Sequence, residues 1–116
     1  MDSEALKNLV VDALEDIKGH EIVCLDVTRQ TDIADHMVVA SGNTPRQVKA
    51  LADSVVEKSK AAGVEVLGVE GTDTNEWVLI DLADVLVHVM LPKVREFYDL
   101  ERLWSMSPRK NEETKS

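Results

Sequence analysis

The stretch MVVASGNTPRQVKALADSVVEKSKAAG, residues 37–63, decides the fold. Met37 to Ala40 is a short apolar run with two β-branched residues, which suits a strand. Gly42 and Asn43 break it, Thr44 stands where an N-cap belongs, Pro45 takes the first helical position, and Gln47 lies three beyond the cap. Val48, Leu51, Ala52, Val55 and Val56 then recur at the spacing of one helical face. Gly63 closes the helix, because glycine reaches the left-handed conformation at no steric cost. A strand feeding straight into a capped amphipathic helix is a unit of an α/β domain.

Working outward from that unit, residues 4 to 18 place Leu6, Leu9, Val10, Ala13, Leu14 and Ile17 on one helical face, with Gly19 as the stop. Ile22 to Val27 is nearly continuous in apolar character and predicts a strand covered on both faces. On the C-terminal side Val64 to Val69 predicts a further strand, and 71–75 is a polar loop. WVLID (77–81) and DVLVHVM (84–90) follow as two strands joined at Leu82 and Ala83. A two-residue turn at that joint would set Trp77 opposite His88 and Leu79 opposite Leu86, a poor turn because Ala83 carries a Cβ. Either way one face carries Trp77, Leu79, Leu86, His88 and Met90, and the other is wholly aliphatic and belongs to the core. Pro92 introduces a last helix over about 93–104, and residues 105–116 form a polar tail expected to be disordered. The order α-β-β-α-β-β-β-α predicts a single α/β domain with a five-stranded mixed sheet and helices packed against it.

The chain has 116 residues, with 22 acidic against 13 basic side chains, and a formal charge of −9. Such a field repels phosphate backbones and anionic lipid, so nucleic acid and membranes are poor partners and a basic protein surface is the natural one. Residues 105–116 hold three basic and two acidic side chains, so the negative charge belongs to the folded body. A single cysteine, Cys24, allows no internal disulfide, and the N-terminus has neither a basic start nor an apolar block. A cytoplasmic protein is expected.

Chemistry is weakly represented. Cys24, set between Val23 and Leu25, reads as an inert core thiol. His20, His36 and His88 fall in three different elements without metal-ligand spacing, and His36 reads as a polar residue at the start of a strand. Asp32 with Asp35 suits turns and caps, and Asp81 with Asp84 flanks a hairpin tip. The helix start from Asn43 to Arg46 could cradle an anion, yet Thr44 and Gln47 already satisfy its donors. No catalytic residue, metal or cofactor is assigned. The alternative is a nucleotide-binding or nucleotidyltransferase-like enzyme built on Asp81, Asp84 and that helix start.

Three of the four aromatic residues, Phe97, Tyr98 and Trp104, crowd one short segment, and the fourth is Trp77. Val94 and Phe97 suffice to dock a short helix, which leaves Tyr98, Leu100 and Trp104 in surplus, beside the hairpin face of Trp77 and His88. A partner surface is the function class that such a surplus suits.

Several stretches together resemble the ribosomal silencing factor family, also called Iojap-like: DVT (26–28), TDIADHMVVASGNTPRQVKALAD (31–53), GVEG (68–71), WVLIDLADVLVHVM (77–90) and FYDLERLW (97–104). The resemblance spans residues 3–104. It implies a nucleotidyltransferase-like topology without that activity. It also implies binding to the large ribosomal subunit through its protein fourteen, blocking small-subunit joining and repressing translation under nutrient limitation. The contact residues it carries over are Trp77, Leu82, His88, Tyr98, Leu100, Glu101 and Trp104. Ala83 departs from the glycine of many members, and the chain length resembles bacterial members. A homodimer of the free protein is a further reading.

Overall fold

The computed structural model describes residues 1–29 and 31–98, with Phe97 and Tyr98 described only as helix backbone. The elements run α1 (Ser3–Asp16), β1 (His20–Asp26), β2 (His36–Ser41), α2 (Pro45–Ala61), β3 (Gly68–Glu70), β4 (Trp77–Asp81), β5 (Val85–Met90) and α3 (Pro92–Tyr98). The five strands form one mixed sheet in the order β1-β2-β5-β4-β3. Only β2 and β5 are parallel, with His36 level with Val85 and Ser41 level with Met90.

Both long helices are written by their caps. The Asp2 carboxylate accepts from Ala5 N–H at 2.8 Å, and Thr44 Oγ1 accepts from Gln47 N–H at 3.1 Å. Gln47 Oε1 in turn accepts from Asn43 N–H at 2.8 Å, so the start of α2 satisfies its own donors. At the other end, Gly63 N–H reaches Lys60 C=O and Val64 N–H reaches Ser59 C=O, with Gly63 at φ 80°. The end of α1 has the same pattern, but its left-handed residue is Lys18 (φ 61°), and Gly19 follows it. Room is short at Gly19, where a Cβ would come within 3.1 Å of the end of the Leu51 side chain and 3.2 Å of the Leu14 carbonyl oxygen.

The principal core lies between the sheet and the pair α1 and α2. Leu14, Leu51, Val55, Val78, Ile80, Val85, Val87 and Val89 are sealed in it. Burying each such side chain contributes about 1.5–3 kcal/mol. Ser54 Oγ–H donates to Ala13 C=O at 2.9 Å, and Gln47 Nε2–H to Lys18 C=O at 3.2 Å, fastening the two helices to each other. Lys58 and Asp16 add a surface ion pair.

Three expectations are corrected. β1 is not covered on both faces, because it is an edge strand: its residues are exposed or half-buried, and Cys24 is exposed rather than a core thiol. The strand sealed on both faces is β2, where Met37 to Ala40 are all inaccessible. β3 is three residues rather than six, since Val64 N–H is taken by the end of α2.

Candidate partner-binding site

A further correction concerns the hairpin that carries the candidate site. Trp77 pairs with Met90, Leu79 with His88 and Asp81 with Leu86, a register two residues away from that of a Leu82–Ala83 turn. Leu82 N–H donates to Val85 C=O at 3.0 Å, which moves the tip to Ala83 and Asp84. Ala83 adopts φ 70°, Asp84 N–H closes a tight turn on Leu82 C=O at 2.9 Å, and the Asp81 carboxylate accepts from Ala83 N–H at 2.9 Å. A shift of two preserves the faces. The aliphatic face of Val78, Ile80, Val85, Val87 and Val89 is the core, as the sequence predicts.

The opposite face holds a second, smaller apolar cluster of Val27, Met37, Val39 and Met90, with half-buried Leu25, Trp77, Leu86 and Val94 packed on it. No residue of α1 or α2 belongs to it; Val94 of α3 does. Trp77 and His88 are diagonal neighbours here. The indole Nε1–H donates to His88 Nδ1 at 2.9 Å, and the ring centroids are 5.9 Å apart. Burial pushes the His88 imidazole down to about 4, so the ring is neutral at neutral pH. Arg95 of α3 is buried and donates through Nη1 to Ser41 Oγ at 3.0 Å, which pins the start of the last helix to the end of β2.

Of the seven residues carried over by resemblance, Trp77 and His88 stand in contact on this face. Leu82 does not join them: it is 2 % exposed and packs into the principal core on the aliphatic face. Its side chain is therefore withdrawn from the set. Tyr98 ends α3, and its side chain lies outside the description, as do Leu100, Glu101 and Trp104 and the tail from 105. Val94 packs on this face, as the docking role read from the sequence implies, and Leu25 joins it without having been singled out. Strand parity could have found Leu25, which sits opposite Met37 once β1 is paired with β2.

The pieces of the rival enzyme do not converge. β2 and β5 run parallel, so Asp84 precedes one end of the ladder while Asn43 to Arg46 follow the other, about 20 Å apart across six residues. Asp35 and Asp84 do meet, through Asp35 N–H donating to Asp84 C=O at 2.8 Å. Among the described residues no three His, Cys, Asp or Glu side chains gather as a metal site. His36 opens β2 with Glu4 3.8 Å away, and His20 opens β1 beside the Asn43 amide at 3.2 Å. No helix of the described residues is long and apolar enough to cross a membrane.

The family model described as "Ribosomal silencing factor during starvation" matches residues 1–116. The chain belongs to the ribosomal silencing factor family. The ribosomal silencing factor of Chromobacterium violaceum is 52% identical over 104 residues, 90% of this chain and 85% of that one. A crystal structure of a Chromobacterium violaceum protein superposes with a TM-score of 0.89 at 51% identity, covering 90% of this chain and 88% of the other. A more distant mouse relative, named mitochondrial assembly of ribosomal large subunit protein 1, is 28% identical over 102 residues, 85% of this chain and 45% of that protein. Membership gives the chain a ribosome-associated silencing role.

Proposed function

We propose that the protein silences translation sterically, by docking on protein fourteen of the large ribosomal subunit and occupying space that the small subunit needs. The observation that carries this reading is the half-buried face of Trp77, Leu86 and His88, which lies on the side of the sheet away from α1 and α2. Large aromatic side chains at the centre of such a face are the usual source of binding energy, and the polar rim sets orientation. The family resemblance adds Tyr98, Leu100, Glu101 and Trp104 to the proposed contact set. The charge of −9 suits a basic ribosomal protein and speeds encounter with it. The mouse relative's name, with its large-subunit assembly, agrees in the choice of subunit.

The mechanism makes and breaks no covalent bond. A body whose thinnest dimension is 22 Å, wedged on the joining face, exceeds any contact distance that two subunits could span around it. Silencing then follows from occupancy alone, and release restores joining.

Co-sedimentation with purified large and small subunits tests the proposal, followed by light scattering of subunit joining. The wild-type protein should pellet with large subunits and reduce joining. Trp77→Ala and Tyr98→Ala should each weaken retention by about 2 kcal/mol or more. Unchanged retention of a folded double variant would refute the assigned surface, and retention on small subunits alone would refute the mechanism.

A further inference from the structure

The Trp77–His88 bond fixes the chemistry of the imidazole as well as its position. An indole nitrogen carries a hydrogen and cannot accept, so in this 2.9 Å contact Nε1–H donates and Nδ1 accepts. A neutral imidazole has one ring hydrogen. With Nδ1 accepting, that hydrogen sits on Nε2. Burial holds the ring neutral, which removes the doubly protonated form at neutral pH. Among the described residues the buried side-chain polar atoms without a partner are Ser59 Oγ and Asn75 Oδ1. Nε2 is not one of them, and no described residue bonds to it. It is a donor of fixed identity, on the face already assigned to docking.

We propose that His88 works in both directions, orienting the Trp77 indole through Nδ1 and presenting Nε2–H as a donor that selects a carbonyl or carboxylate oxygen on the docked protein. The proposal rests on the docking reading above and adds the chemistry that the partner must offer at this point. A freely rotating surface histidine could turn either nitrogen outward and accept or donate as required. The bond to Trp77 removes that choice. A partner presenting an N–H at this spot meets another N–H, and the mismatch leaves two donors unpaired as the interface dries. His88 is thus a positioning residue for Trp77 and a specificity residue for the partner.

The two roles can be separated by substitution. In His88→Asn the side-chain oxygen replaces Nδ1 and keeps the Trp77 bond, while nothing reaches the place of Nε2. In His88→Gln the amide nitrogen replaces Nε2 and the Nδ1 acceptor is lost. His88→Phe loses both. Nitrogen NMR of the free protein should find His88 protonated on Nε2, and the Trp77 indole N–H resonance should move in the Gln and Phe variants but not in Asn. Affinity for purified large subunits should fall about tenfold in His88→Asn and further in His88→Phe.

Protonation on Nδ1 in the wild type would overturn the proposal outright. So would wild-type affinity in a His88→Asn variant whose Trp77 resonance is unmoved. If His88→Asn does not fold, equal affinities for His88→Gln and His88→Phe would remove the donor role, and tighter binding by His88→Gln would support it. Failure of the docking reading shows separately, as absence of wild-type retention on large subunits while the free-protein tautomer is as stated.

Discussion

A Cβ placed on Gly71 would lie 2.0 Å from the carbonyl oxygen of Trp77. The loop before β4 folds so closely over the first residue of the strand that position 71 accepts only glycine, which also holds φ at 92° there. The clash is with backbone, so no rotamer change relieves it. Gly71→Ala should therefore destabilise the domain by about 2 kcal/mol or more, read from urea unfolding. It should also shift Trp77 fluorescence in the folded state. A variant with unchanged midpoint and spectrum would contradict the close approach.

Leu82→Ala separates folding from docking. Leu82 is 2 % exposed in the principal core, so truncation should cost about 2–4 kcal/mol of stability through lost burial and the cavity left behind. Retention of the folded fraction on large subunits should match the wild type. Weak binding with unchanged stability would return Leu82 to the contact set.

Much of this architecture is legible because local signals and tertiary packing agree. Thr44, Pro45, Gln47 and Gly63 each specify a local geometry, and the structure uses all four. The two faces of the hairpin are legible for a similar reason, since side-chain alternation survives a register error of two. What depends on neighbours is not legible. Whether β1 is central or at an edge is decided by its pairing with β2 alone, so the apolar run around Cys24 misleads. Leu82 looks like a tip residue until the Leu82 to Val85 hydrogen bond moves the turn on. The Trp77–His88 bond depends on that same register, and the periodicity carries no sign of it.

Ala83 marks the turn's remaining strain. A residue with a Cβ held at φ 70° costs on the order of 1 kcal/mol or more, and glycine relieves that at the expense of a more flexible unfolded chain. Ala83→Gly should raise stability by about 0.5 kcal/mol, and Ala83→Val should lower it by more than that. Paired urea titrations check both signs. A destabilising Ala83→Gly would mean that the turn is already relaxed.

His88 should make the domain acid-sensitive in a window of its own. Its folded value of about 4 lies below the ordinary 6.5, so the unfolded chain binds this proton more readily. Its neutral form contributes stability that is fully present above pH 6.5 and declines as the pH falls from 6.5 towards 4, by at most about 3 kcal/mol. Asp26 acts lower down. Thr28, donating from its hydroxyl and its backbone N–H, depresses that carboxyl, whose contribution is lost only below the usual carboxylate range. Urea midpoints measured between pH 4 and 7 should therefore slope downward on acidification in the wild type. His88→Asn, which cannot titrate but still accepts from Trp77, should flatten that slope. An equal slope in both proteins would place the acid sensitivity elsewhere and remove the buried neutral imidazole from the account of Trp77.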